Sequence, residues 1–171
     1  MDSTLSVRRA KAEDAALIRR MRIASLTESP HAFGARLCDV QAQPEKSFEE
    51  DARRHSTSEV STSFFVFSGA EPVGTIGAFF ERSESQRAFI CALWVDPSCR
   101  GTSAASLLVA AAIEWLSDRG AENIFAWVAN DNARAQAFYR KAGFSATSEV
   151  QPLPSKPSKL ETLFCGSAHG G

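Results

Sequence analysis

Residues able to do chemistry fall in two stretches. In VDPSCRGTSAASLL a strand ends near Val95, a turn punctuated by proline follows and a helix begins. The first unpaired N–H groups of that helix converge on one point. Arg100 brings a mobile positive charge there and the helix dipole adds a partial one, so the point favours an anion. Gly101 admits backbone conformations that other residues resist, and Ser103 and Ala105 are small enough to leave the N–H groups uncovered. A strand–turn–helix with one glycine is more often a plain connection, and the stretch alone leaves both readings open. In NDNARAQAFYRKAGF, Asn132, Ala135, Gln136 and Tyr139 lie on one face of a helix. Asn132 stands where its amide can cap that helix or bond a ligand's amides. Tyr139 suits either a phenol presented to a reaction or a core aromatic with a satisfied hydroxyl.

The elements that hold these groups follow from periodicity. TLSVRRA alternates as a first strand. KAEDAALIRRMRIASLTES is an amphipathic helix, with Ala16, Leu17, Arg20, Met21, Ala24 and Ser25 on one face and Ile18, Ile23 and Leu26 widening the apolar side. Ser29 and Pro30 stop it. HAFGARLCDVQAQ reads as irregular, and PEKSFEEDARRHS opens a second helix with proline and acids. STSFFVFSGAEPVGTIGAFFERSESQRAFICALWVD reads as three antiparallel strands, turning first at Gly69, Ala70, Glu71 and Pro72 and then at the polar run 83–86. The next helix runs to about Asp118 and is closed by Gly120. NIFAWVA is a buried strand and DNARAQAFYRKA a short helix capped at Gly143. FSATSEV and KLETLFC are two last strands, separated by QPLPSKPS as a proline-rich loop. The order β-α-α-β-β-β-α-β-α-β-β predicts one α/β domain of α+β type over residues 1–171. Its core spans 4–165 and its tail, 166–171, is frayed; one mixed sheet of about seven strands is flanked by four helices.

Lysine and arginine number 19 against 20 acidic residues, and the net charge is −1. That balance excludes the basic field that nonspecific nucleic-acid binding needs. MDSTLSVRRAKAED lacks the apolar run of a signal peptide, and no stretch approaches the ~18 consecutive apolar residues of a membrane span; a cytoplasmic protein is expected. Cys38, Cys91, Cys99 and Cys165 form no CxxC and no ligand spacing with His31, His55 and His169. Reduced thiols and no metal site are the expectation.

Taken together, LWVDPSCRGTSAASLL and NDNARAQAFYRKAGF resemble the GNAT superfamily of acyl-coenzyme A-dependent N-acyltransferases, and the element order from residue 4 to 165 is similar too. The tyrosine segment matches N-x-x-A-x-x-x-Y-x-x-x-G-F. Arg100, Ser103 and Ala105 fit the loop pattern Arg/Gln-x-x-Gly-x-Gly/Ala, with serine in place of the central glycine. The resemblance implies a GNAT fold with acetyl-CoA or another acyl-CoA as co-substrate. It also implies that the backbone of Leu93, Trp94 and Val95 bonds the pantetheine arm as an added strand. The N–H groups of Arg100, Gly101, Thr102, Ser103, Ala104 and Ala105 would hold the pyrophosphate. Asn132 would meet the pantetheine amides, and Tyr139 would lie near the thioester sulfur.

By the same resemblance the reaction is direct attack of an amine on the thioester. An N–H near Leu93 holds the oxyanion. Tyr139 protonates the departing thiolate, the ordinary phenol pKa of ~10 lying close to that of the thiol. Family members often place a glutamate base where this chain has Cys91, a poor base; Glu28, His31, Glu81 and water are the alternatives. Serine at 103 has two readings: its hydroxyl bonds a phosphate, or the hold on the nucleotide is relaxed because the acyl group arrives on the phosphopantetheine of an acyl carrier protein. The expected acceptor is an amine of a small molecule or peptide. A hydroxyl acceptor or carrier-protein donor is the first alternative, and a non-catalytic acyl-CoA-binding module the second. Residues 27–45, the loop 151–158 and inward side chains of the central strands should wall the acceptor site, with Phe33, Phe80 and Trp94 as apolar candidates. The chain is expected to be a monomer or homodimer, with the last strand offering an exposed edge.

Overall fold

The computed structural model describes residues 4–30 and 35–169. Strands β1 (Leu5–Arg9), β2 (Ser61–Ser68), β3 (Glu71–Phe80), β4 (Ala88–Val95), β5 (Asn123–Ala129), β6 (Ser145–Leu153) and β7 (Lys156–Ser167) form one sheet in the order β1-β2-β3-β4-β5-β7-β6. All neighbours are antiparallel except β4 and β5. Those two run parallel because helix α4 (Ala104–Ser117) carries the chain back between them. The other helices are α1 (Ala15–Glu28), α2 (Leu37–Ala42), α3 (Glu45–Thr57) and α5 (Ala133–Lys141).

The sheet is covered on both faces, and the run SFFVF in β2 shows why its sequence is apolar throughout. Phe64 and Val66 enter the core under α4 with Ile76, Ile90 and Leu108. Phe65 and Phe67 face the opposite side, with Ile18 and Met21 of α1 and Phe48 of α3. These four residues therefore alternate between the two cores.

Five sequence expectations need correction. There are five α-helices among the described residues rather than four: α2 lies in the stretch read as irregular, anchored by one buried residue, Val40, too few for a periodic signal. Helix α1 buries Ile18, Met21, Ser25 and Leu26, while Ala16 and Arg20 are exposed. Apolar residues occupy most of its circumference, so spacing does not choose the stripe. The proline-rich loop is a hairpin whose turn is only residues 154 and 155. Pro152 sits in β6 opposite Leu160, tolerated because β6 is an edge strand. Strand β7 is not an edge; it folds back between β5 and β6, leaving β1 and β6 outermost. Finally, β7 continues to Ser167, paired with Asn123, and the Ala168 N–H bonds the Glu122 carbonyl at 2.9 Å. The tail is thus ordered through Ala168, which packs against the α4-side core.

The entry to α1 is fixed by Asp14. Its carboxylate accepts from Arg8 at 2.6 and 3.1 Å and from the Lys11 N–H at 2.7 Å. Burial alone would push this carboxyl up, but the Arg8 and Lys11 bonds and charges outweigh it, and the pKa lies below the ordinary value. A carboxylate depressed in the folded state stabilises above its unfolded pKa and loses that contribution as pH falls through the folded one. Asp14→Asn is therefore expected to cost about 1–3 kcal/mol at pH 7 in urea melts. The gap to wild type should narrow as pH drops below about 4.

Candidate active site

Strands β4 and β5 pair only at Ala88 with Ile124 and Phe89 with Phe125; beyond that they part. The cause lies in β4. Between the pairs Thr75–Trp94 and Gly77–Cys91 the register shifts by one, so Ala92 and Leu93 stand opposite Ile76 alone. Ala92 has φ +52, a left-handed conformation costing an alanine roughly 1–2 kcal/mol. Such a bulge bends its strand and sharpens the twist, which carries the second half of β4 away from β5. The backbone of Leu93, Trp94 and Val95 is left facing a cleft of about 590 Å³ instead of a neighbouring strand.

One end of the cleft is the loop entering α4. Asp96 accepts from the Ser98 N–H at 2.9 Å and its hydroxyl at 2.6 Å, organising a 3-10 turn at Pro97–Cys99. Gly101 has φ +82 with nothing near the place of a Cβ; the conformation, and not crowding, requires glycine there. Ser103 has φ −78 and ψ 3, values open to any residue, so serine in place of glycine costs the backbone nothing. Its side chain makes no capping bond. Thr102 donates to the Cys99 carbonyl at 2.5 Å and accepts from the Ala104 N–H at 3.3 Å. Arg100, Gly101, Thr102 and Ala105 line the cleft; Ser103 and Ala104 do not. Ala104 is fully buried in the core instead.

Arg100 is not a free charge. Its guanidinium grips Glu28 at the end of α1 through two bonds of 2.9 and 2.7 Å, and the Trp94 indole donates to the same carboxylate at 2.9 Å. The Arg100 bonds, with help from Ser29 and Trp94 and against some desolvation, hold Glu28 at about 2. With both oxygens engaged by Arg100, and one of them by Trp94 as well, this carboxylate has no bare oxygen to turn toward an amine. Glu81 fails too. It sits beyond the paired end of β4, bonded to Arg87 at 2.9 Å and Ser85 at 2.6 Å, which hold it at about 2. His31 and Phe33 lie outside the described residues.

The opposite wall is α5. Asn132 is its N-cap and accepts from the Ala135 N–H at 3.1 Å, so the side-chain oxygen is committed and the amide NH2 remains for a ligand. Gly143 closes the helix at φ +96. Tyr139 lines the cleft with its ring met edge-on by Phe138 and Phe144, each at 5.4 Å, and in a tilted contact by Phe164 at 6.4 Å. Burial first, then the neighbouring Cys91, push the phenol above the ordinary tyrosine range. Tyr139 therefore carries its proton at neutral pH. Arg134, Phe138 and Lys141 also line the cleft. The sequence reading missed them, although their spacing of four and three marks a stripe on α5.

Cys91 lies where the cleft meets a second cavity. Its surface is open to the cleft, yet protein surrounds it closely enough that desolvation pushes its thiol up to about 11, only partly offset by Arg22. It is no base. The second cavity, about 250 Å³, lies on the α1 and α3 side of the sheet. Ile18, Met21, Arg22 and Ser25 line it together with His55, Ser63, Phe65, Thr75 and Gly77. Cys91 and Ala92 belong to both spaces. No residue of 151–158 lines it, and Phe80 lies under α4, 6.3 Å from Trp115. Trp94 is buried behind the Glu28 pair. Among the described residues no group of His, Cys, Asp and Glu could hold a metal ion, and no helix is long and apolar enough to cross a membrane.

Residues 25–144 match the model of the acetyltransferase (GNAT) family. Among solved structures the chain is similar to a GNAT-family acetyltransferase from Streptococcus pneumoniae, with TM-score 0.79 and 19% identity over 96% of this chain and 99% of that one. It is also similar to the PaiA N-acetyltransferase from Thermoplasma acidophilum in complex with coenzyme A, with TM-score 0.73 and 12% identity over 96% and 99%. A third is RimL, the ribosomal L7/L12 alpha-N-protein acetyltransferase in complex with coenzyme A, with TM-score 0.74 and 14% identity over 96% and 94%. No curated protein matches the chain.

Proposed function

Because the chain belongs to the GNAT family of acetyltransferases, we propose that it carries an acetyl or other acyl group from a coenzyme A thioester in the β4–β5 cleft to an amine of a small molecule or peptide. The observation that carries this reading is the parting of β4 and β5 at the Ala92 bulge. It exposes strand backbone along one wall, helix N–H groups at one end and a phenol on the other wall. Each matches one part of the donor: amides of pantetheine, a diphosphate and a thioester sulfur. That two similar acetyltransferases were solved with coenzyme A supports the assignment.

In the reaction the amine attacks the thioester carbonyl, and the Leu93 N–H in the bulge is the donor aimed at the oxyanion. Tyr139 gives its proton to the departing sulfur. The relaxed backbone at Ser103 favours free acyl-CoA over a carrier-protein donor, since nothing at that position loosens the helix N-terminus. Thiol release from acetyl-CoA in the presence of amines tests the proposal. A rise in melting temperature on adding acetyl-CoA, without thiol release for any amine, would favour the binding-module alternative.

Glu28 tempers the donor site in this reading, because its carboxylate occupies the guanidinium that faces the diphosphate. Glu28→Gln removes the like charge and loosens the grip on the guanidinium, since only one amide oxygen remains to accept. It is expected to tighten acetyl-CoA binding about three- to tenfold at low salt, measured by calorimetry.

A further inference from the structure

The reaction above needs a proton acceptor on the amine's side, and neither Glu28, Glu81 nor Cys91 is one. The second cavity holds a pair that can do it. Ser63 of β2 is in register with Gly77 of β3, and Gly77 with Cys91 of β4, so all three share one row and one face of the sheet. Glycine in the middle of that row lets the Cys91 sulfur lean over it, 2.8 Å from where a Cβ would stand, and all three residues line the second cavity. The backbones of Ser63 and Cys91 stand two strand spacings apart, about 10 Å. Behind Ser63, the His55 ring places Nδ1 3.0 Å from the serine oxygen.

His55 is held firmly. Its carbonyl accepts from Arg9 Nε at 3.0 Å and from the Thr62 hydroxyl at 2.7 Å, while the other end of the Arg9 fork bonds the Ser58 carbonyl at 2.7 Å. These bonds tie the last turn of α3 to β1 and β2. We propose that an acceptor amine seated in the second cavity passes its proton to Ser63 as Ser63 passes its own to His55, making the pair a proton relay between α3 and the thioester. This rests on the donor reading above.

The surroundings of the ring keep it unprotonated. Burial first, and then Arg54, Arg22 and Arg9 against the single opposing charge of Asp51, hold His55 at about 4. The ring is therefore neutral at pH 7. With its proton on Nε2, it offers Nδ1 to the serine. The step balances. The amine nitrogen forms the C–N bond, the C–S bond breaks, the nitrogen's proton reaches Nδ1 through Ser63 and the sulfur takes the Tyr139 proton. One proton leaves the imidazolium for water and one returns from water to the phenolate, giving one amide and one thiol.

The test follows thiol release from acetyl-CoA with hydroxylamine as the acceptor, and measures acetyl-CoA binding to each protein by calorimetry. His55→Ala and His55→Asn are expected to lose about 10²-fold or more in kcat. Acetyl-CoA affinity and the KM for hydroxylamine should stay within about threefold, since no donor contact is removed. Added imidazole should restore His55→Ala but not His55→Asn, whose amide fills the place of Nδ1 without basicity. A His55→Asn enzyme with wild-type kcat would show that the ring only supports Ser63 and would overturn the relay. So would a wild type that binds acetyl-CoA yet releases thiol no faster than His55→Ala. A wild type that fails to bind acetyl-CoA would overturn the donor reading itself, and the relay with it.

Discussion

Tyr139→Phe is expected to lower kcat by about 10²- to 10⁴-fold, the usual worth of a positioned general acid, and to leave acetyl-CoA affinity within about threefold. The substitution removes one oxygen and keeps the ring, which Phe138, Phe144 and Phe164 hold on three sides. A change in rate without a change in binding therefore isolates the hydroxyl. The pH profile adds a second check. Burial raises the phenol above its ordinary range, so the proton-bearing form persists through pH 10, and Tyr139 should contribute no alkaline decline between pH 7 and 10. A variant that keeps a third or more of the wild-type rate would make Tyr139 a core aromatic that happens to line the cleft.

Ala105→Asp should separate folding from donor binding more sharply than any other single change. Ala105 is the second residue of α4 and lines the cleft. A carboxylate in the first turn of a helix is favourable by about 0.3–1 kcal/mol, so the unliganded variant should melt no lower than wild type. The same charge stands where the diphosphate is expected. Two unit charges about 4 Å apart at an effective dielectric of about 20 repel by roughly 4 kcal/mol, which corresponds to a fall in acetyl-CoA affinity of about 10³-fold. Calorimetry at low salt reads the loss, and rising salt should shrink it. Binding within about threefold of wild type would put the nucleotide elsewhere.

Much of the donor-side architecture is legible in the sequence because its signals are local. Asn132 caps α5 and Gly143 ends it through bonds to groups three residues away, and Gly101 and Gly120 mark left-handed turns that only their own positions require. What escapes the sequence is whatever depends on register or distant pairing. The bulge that opens the cleft is carried by an alanine at φ +52, and alanine advertises no such conformation. Arg100 reads as a free charge because its partner Glu28 lies 72 residues away. The Ser63–Gly77–Cys91 row appears only once three strands are aligned, which also hides His55. Helix α2 rests on one buried valine, and the prolines of the β6–β7 hairpin look like a loop because the edge position that tolerates them is a property of the whole sheet.

The most direct measurement is a crystal structure of the protein with acetyl-CoA bound. Diphosphate oxygens are expected about 3 Å from the N–H groups of the loop entering α4. The pantetheine should pair with the backbone of Leu93 and Val95, and the sulfur should lie within hydrogen-bond reach of the Tyr139 hydroxyl, with the acetyl carbon turned toward Cys91 and the second cavity. Density for the nucleotide outside the β4–β5 cleft, or a thioester pointing away from Tyr139, would overturn the proposed function.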